Sequence, residues 1–138
     1  MPRKPKALVL DSWSVLAYLE DEPAGQQVAD IIANAHENGT PLMMTVVNAG
    51  EVWYITARGT SEDEADLVLG ELAHLGIEFV DAGWKLTREA SRLKARGKMS
   101  FADCFAAALA KEEKADLVTG DTEFRQVESE IKITWLKN

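Results

Sequence analysis

Four acidic residues sit where acids can act together: Asp11 in Val9-Leu10-Asp11, Glu51 in Asn48-Ala49-Gly50-Glu51-Val52, Asp103 in Ser100-Phe101-Ala102-Asp103, and Asp121 in Thr119-Gly120-Asp121. Asp11 and Asp121 each close a short apolar run, which places them at the carboxyl ends of expected strands. In open parallel sheets the functional crevice lies beyond those ends, where strand order reverses. Glu51 and Asp103 fall in the opening turns of helices expected to start at Thr45 and Ser100, and helix N-termini approach the same edge. Clustered like charges repel unless a cation neutralises them, and hard carboxylate oxygens suit Mg²⁺ or Mn²⁺. A divalent ion held there can activate water for in-line attack on a phosphodiester while stabilising the developing charge. Taken together, the acids predict metal-dependent hydrolysis of a phosphoryl bond. Taken singly, each has a plainer reading. Ser100 with Asp103 spells a helix-capping box, and Asp11 and Asp121 can be ordinary turn residues after strands. Glu51 can be a solvated helix acid, although its neighbours Ala49, Val52, Trp53 and Ile55 are apolar and leave it wanting a partner.

Other chemistry-bearing side chains point nowhere comparable. Asp116 precedes the same apolar run that Asp121 follows, so it belongs to the opposite strand end and is read as structural. His36 and His74 lie near helix ends without a matching carboxylate or nucleophile, and surface roles are expected. Cys104, the single cysteine, cannot form an internal disulfide and reads as a small core residue. Asp11-Ser12-Trp13 lacks the second acid expected beside a phosphorylatable aspartate, which disfavours a phosphatase or receiver-like domain.

The elements that must position these acids alternate between short apolar runs and helix-length periodic segments, the pattern of an α/β fold. Strands are expected at Ala7 to Leu10, Leu42 to Met44, Ile77 to Val80, Leu117 to Thr119 and Ile131 to Leu136. A helix over about Ser12 to Glu20 precedes a second that Pro23 opens and Gly39 ends. Thr45 caps a helix through about Ala57, and Ser61 with Glu64 makes a capping box for the next. A basic amphipathic helix spans about Trp84 to Arg96, and the helix begun at Ser100 carries an alanine face suited to a sheet. Val46, Val47, Val52, Trp53, Tyr54 and Ile55 surround much of the third helix, so it is buried or shared with a partner. Trp53 is read first as core. With Trp13, Tyr18 and Leu19, that helix can also form a protein-docking groove or a dimer contact.

At 138 residues the chain fits one domain, 1–138, and its 46% hydrophobic and 28% charged residues fit a folded protein. No apolar run approaches the roughly 18 residues of a membrane-spanning helix, and the run after Arg3, Lys4 and Lys6 stops at Asp11, too soon for a signal peptide. A cytoplasmic location is expected. A net charge of −8 argues against a polyanionic partner, but the charge is segregated. Lys85 to Lys98 holds six basic residues and one acid, whereas Thr60 to Asp81 holds seven acids and no Lys or Arg. Arg92, Arg96 and Lys98 approach Ser100 in sequence and are expected to touch nucleic-acid phosphates, a solvated helix face being the alternative.

Four motifs in order, Val9-Leu10-Asp11-Ser12-Trp13, Asn48-Ala49-Gly50-Glu51-Val52, Ser100-Phe101-Ala102-Asp103 and Leu117-Val118-Thr119-Gly120-Asp121-Thr122-Glu123-Phe124, resemble those of PIN-domain proteins, more narrowly VapC-type toxins of bacterial toxin-antitoxin modules. The resemblance spans nearly the whole chain. It implies a three-layer fold with a mostly parallel sheet of four to five short strands. It matches Asp11, Glu51, Asp103 and Asp121 to the family's catalytic, metal-binding quartet, Thr119 and Ser12 to site-ordering positions, and Glu123 to an outer contributor. It further implies Mg²⁺- or Mn²⁺-dependent endoribonuclease activity on an RNA substrate, a cognate antitoxin and a homodimer. The alternatives are a PIN nuclease that is not a toxin, or a PIN-like RNA- or protein-binding scaffold without catalysis, for which missing quartet acids are expected; here all four are present.

Overall fold

A computed structural model describes residues 4–137. Five strands, β1 (Leu8–Leu10), β2 (Leu42–Thr45), β3 (Ile77–Val80), β4 (Asp116–Thr119) and β5 (Lys132–Trp135), form one sheet in the order β3-β2-β1-β4-β5. All four pairings are parallel, so the sheet is wholly rather than mostly parallel. The strand order reverses between β1 and β4, in register at Leu8 with Asp116 and Leu10 with Val118. The crevice expected of such a sheet therefore opens between Asp11 and the segment after Thr119.

Parallel strands need crossover connections, and six helices supply them: α1 (Ser12–Leu19), α2 (Pro23–Asn38), α3 (Val46–Gly59), α4 (Glu62–His74), α5 (Trp84–Arg96) and α6 (Phe101–Glu113). Alternation along β1 divides the core. Ala7 and Val9 join the alanine-rich stripe of α6 and Leu86, Ala90 and Leu93 of α5. Leu8 and Leu10 join Val15 of α1, Val28 and Ile32 of α2, and Val68 and Leu72 of α4. A central strand buried on both faces must read as a continuous apolar run, as β1 does.

Local chemistry sets the helix boundaries. Ser61 accepts the Glu64 N–H and Thr45 accepts the Asn48 N–H, as helix caps do. Pro23 opens α2, and Gly39, at φ 67°, ends it in the left-handed conformation that glycine tolerates best. Thr122–Val127 forms a 3₁₀ helix that the periodicity did not signal. Cys104 is buried, His36 Nε2 donates to the Leu75 carbonyl at 2.6 Å, and Trp53 is half-buried with its N–H given to Asp66. Among the described residues, no helix is long and apolar enough to cross a membrane.

Candidate active site

Asp11 leaves β1 and caps α1, so one residue belongs both to the sheet edge and to a helix start. Its carboxylate is 1% exposed and accepts the Ser14 N–H at 2.8 Å and the Thr119 hydroxyl at 2.5 Å. Burial pushes the Asp11 carboxyl from 3.8 up to about 7; the Thr119 and Ser14 bonds work against that rise, and the charge of Asp103 adds to it. Thr119 is fully buried at the end of β4, and its hydroxyl oxygen also accepts the Asp121 N–H at 3.0 Å. One hydroxyl thus joins the two strand-end acids across the switch point.

Asp121 caps the 3₁₀ helix, its side chain accepting the Glu123 N–H at 2.9 Å. Between Thr119 and Asp121 the chain passes under the Trp13 indole. A Cβ added to Gly120 would lie 2.2–2.7 Å from that ring, so the close approach requires glycine.

Asp103 lies in the first turn of α6, where Ser100 accepts its N–H at 3.1 Å. The plainer reading of this pair as a cap is therefore correct, yet the Asp103 carboxyl also faces the other acids. Burial, then the charges of Asp121, Glu51 and Glu123, push it from 3.8 up to about 6, against a lowering bond from Ser100. Glu51 finds the partner its apolar setting demanded, accepting the Ser12 hydroxyl at 2.5 Å.

Asp11, Glu51 and Asp121 thus each lie within electrostatic reach of Asp103, with Glu123 at the margin. None is ion-paired to Lys, Arg or His among the described residues. They do not form a closed cage either: among the described residues, no three His, Cys, Asp or Glu side chains converge as a ready coordination set. What they present is an uncompensated group of hard oxygen donors, two of them pushed toward protonation by burial and mutual repulsion. That donor chemistry fits a hard divalent cation.

The expected phosphate contacts divide. Arg92 and Arg96 reach Glu130 at 3.6 Å and 2.7 Å, and Arg92 also pairs with Glu89 at 2.6 Å. Lys111 completes this network at 3.0 Å from Glu130, and Lys111 and Arg96 hold the Glu130 carboxyl below its usual range. Lys98 differs. Its backbone N–H donates to Gln126 at 3.0 Å, and the Gln126 amide donates to the Glu123 carboxylate at 3.1 Å, so Lys98 is tethered beside the acid-bearing 3₁₀ helix. Its ammonium makes no ion pair among the described residues.

One polar residue escaped the sequence reading. Asn48 is fully buried, receives the Thr45 hydroxyl at 2.6 Å, and donates to the Ala102 carbonyl at 3.1 Å and to Ser12 Oγ at 3.5 Å. The available signal was a polar side chain in the first turn of an otherwise apolar helix, three residues before Glu51.

Comparison with known proteins agrees with this architecture. A search of curated protein sequences returns no match. Solved structures share the fold: Rickettsia felis VapBC2 bound to a promoter DNA fragment (15% identity, 95% of this chain and 99% of that one, TM-score 0.78) and DNA-bound VapBC from Salmonella typhimurium (14%, 93% and 96%, 0.72). Mycobacterium tuberculosis VapC20, described as a sarcin-ricin loop cleaving toxin, is likewise similar (16%, 88% and 95%, 0.68). The PIN domain model matches residues 8–130, which hold four of the five strands and every acid described above, and the chain therefore belongs to the PIN-domain family.

Proposed function

We propose that this chain is a divalent-metal-dependent endoribonuclease, the toxin of a toxin-antitoxin pair, acting through Asp11, Glu51, Asp103 and Asp121. The observation that carries the reading is the approach of Asp11, Glu51 and Asp121 to Asp103, from four separate elements, at the switch point of a parallel sheet without a compensating cation among the described residues. The description of VapC20 as a loop-cleaving toxin supports RNA as the substrate class. When bound, Mg²⁺ or Mn²⁺ would supply Lewis-acid stabilisation of the phosphate and an activated water. The chain's own part is to hold oxygen donors at fixed positions: Thr119 orients Asp11, Ser12 orients Glu51, and Ser100 anchors the turn of Asp103. Glu123 serves as an outer carboxylate. Lys98 is the phosphate contact nearest this group, with Arg96 and Arg92 joining only if RNA displaces them from Glu130.

A groove of about 890 Å³ between α1 and α4 supports the antitoxin partner. It is lined by Tyr18, Leu19, Leu67 and Leu75 and rimmed by Asp63 and Asp66. Such a surface fits an apolar segment carrying basic residues, and Leu67 is 63% exposed there. The protein acts as a homodimer in the cytoplasm, residues 1–138 forming its one domain. Light scattering on the purified protein tests the dimer.

The deciding experiment incubates the protein with structured RNA in Mg²⁺, Mn²⁺ or EDTA. Cleavage should require the metal and disappear in Asp11→Ala. Absence of cleavage with either metal, or an Asp11→Ala variant as active as wild type, would overturn the nuclease reading. A neighbouring short gene whose product blocks cleavage, with loss of that block in Leu67→Glu, would establish the toxin role.

A further inference from the structure

We infer that Asn48 is the positioning residue on which the acid cluster is built, acting on Glu51 through Ser12 and on the Asp103 turn through the Ala102 carbonyl. The inference rests on the metal-site reading above and names a residue outside the four acids.

Asn48 is a primary amide with two N–H donors and an acceptor oxygen, and it is fully buried. Burying an amide is unfavourable unless its hydrogen bonds are made, and here they are made to three different elements. The Thr45 hydroxyl at the end of β2 donates to Asn48 Oδ1 at 2.6 Å while accepting the Asn48 backbone N–H at 3.0 Å, which fixes both ends of the residue. With the oxygen so engaged, Nδ2 must point away from β2. It donates to the Ala102 carbonyl at 3.1 Å and, more weakly, to Ser12 Oγ at 3.5 Å.

Each of those contacts adjoins an acid. Ser12 follows Asp11, Ala102 precedes Asp103, and Glu51 stands one helical turn after Asn48 on α3. Ser12 has a single hydroxyl proton and two acceptors in range, Glu51 Oε1 at 2.5 Å and the Asn48 carbonyl at 3.2 Å. The nearer acceptor takes the proton. The amide, the hydroxyl and the carboxylate then form a directed chain, Asn48 to Ser12 to Glu51, ending on the carboxylate whose charge reaches Asp103. Filling space alone does not require an amide: an aliphatic side chain of similar volume would occupy the position but make none of these bonds, leaving the buried Thr45 hydroxyl without its acceptor. The polarity is placed where three acid-bearing elements touch.

Partners that orient metal-binding side chains change metal affinity by about 10- to 100-fold when removed. Isothermal titration of wild type, Ser12→Ala, Asn48→Ala, Glu51→Ala and the double variants with Mn²⁺ therefore tests the inference without relying on RNA cleavage. Ser12→Ala and Asn48→Ala should each weaken Mn²⁺ binding by a factor within that range, and the Ser12→Ala/Asn48→Ala pair should fall short of the product of the two losses. In a Glu51→Ala background, Ser12→Ala should lose its effect, which a general loosening of the fold would not produce. Should Asn48→Ala fail to fold, Asn48→Ser takes its place, since its short side chain can still meet Thr45 but cannot span to Ala102. Wild-type affinity in Ser12→Ala or in a folded Asn48 variant overturns the inference, as does a Ser12→Ala effect that persists undiminished without Glu51. If the wild-type protein itself takes up no Mn²⁺, the metal-site reading falls and this inference with it; if wild type binds and the variants bind equally, only this inference falls.

Discussion

Asp11 is ionised only against the preference of its surroundings, and that gives the site a measurable pH signature. Its carboxyl titrates near 3.8 in an unfolded chain and about 7 in the folded one, chiefly because it is buried. Between those values the native state binds more protons than the unfolded state, so stability falls as pH rises and levels off above about 7. Metal-free protein should therefore melt at lower temperature at pH 8 than at pH 5. Asp11→Asn should gain on the order of a few kcal/mol at pH 8 and lose most of that slope while also losing cleavage. Mn²⁺ at about 100 times its dissociation constant should restore roughly 2.7 kcal/mol to wild type at pH 8. Thermal melts across this pH range, with and without metal, check all three outcomes. Thr119 offers a second test at this scale. Thr119→Val keeps the shape but leaves Asp11 and the Asp121 amide without their shared partner. It should cost about 1–3 kcal/mol of stability and most of the activity, while Thr119→Ser keeps both.

At the scale of elements, the segment after β4 works because Trp13 from α1 lies over it. Gly120→Ala would drive a methyl into the indole and should destabilise by about 1–3 kcal/mol, as overpacking does, with loss of cleavage. Trp13→Leu should recover part of that loss by opening room, an outcome that melting and cleavage assays on the double variant would read directly. The α5–α6 hairpin carries a different prediction. Lys98→Glu should weaken RNA binding more than Arg96→Glu, because Arg96 is engaged by Glu130 while Lys98 is tethered through Gln126 beside Glu123.

This hairpin also shows what the sequence could and could not disclose. The strands, the Pro23, Thr45, Ser61 and Ser100 helix starts and the strand-end placement of Asp11 and Asp121 follow from local rules, and the structure has them all. The pairing of Arg96 with Glu130 joins residues 34 apart in the chain, and no periodicity encodes it. The same holds for Asn48, whose Thr45 cap is local and legible but whose bonds to Ser12 and Ala102 span 36 and 54 residues. The 3₁₀ helix over Thr122–Val127 was missed because six residues are too few to display a period.

At the scale of the whole molecule, a chain with net charge −8 approaches RNA without a favourable long-range field. With Arg92 and Arg96 engaged by Glu130, Lys98 is the one of the three proposed phosphate contacts left without an ion pair among the described residues. The logarithm of the binding constant for single-stranded RNA should then fall with the logarithm of monovalent salt at a slope near −0.7, about the value for one phosphate contact. A slope several times steeper would mean that the Glu130 network opens onto RNA, and Glu130→Ala would then steepen it no further. Divalent ions should matter far more than monovalent ones, since the acids offer the strongest local charge on the active edge.

The bond from Thr119 to Asp11 joins residues 108 positions apart, and β4, which carries Thr119, enters the sheet between β1 and β5. During synthesis, then, Asp11 is made 108 residues before the hydroxyl that orients it. A growing polypeptide ending before β4 has no switch point, no Asp121 and no hydroxyl to orient Asp11. For the ribonuclease proposed above, this order of assembly predicts that a nascent chain cannot cleave before β4 is made, and a fragment ending at residue 115 should be inert in any cleavage assay.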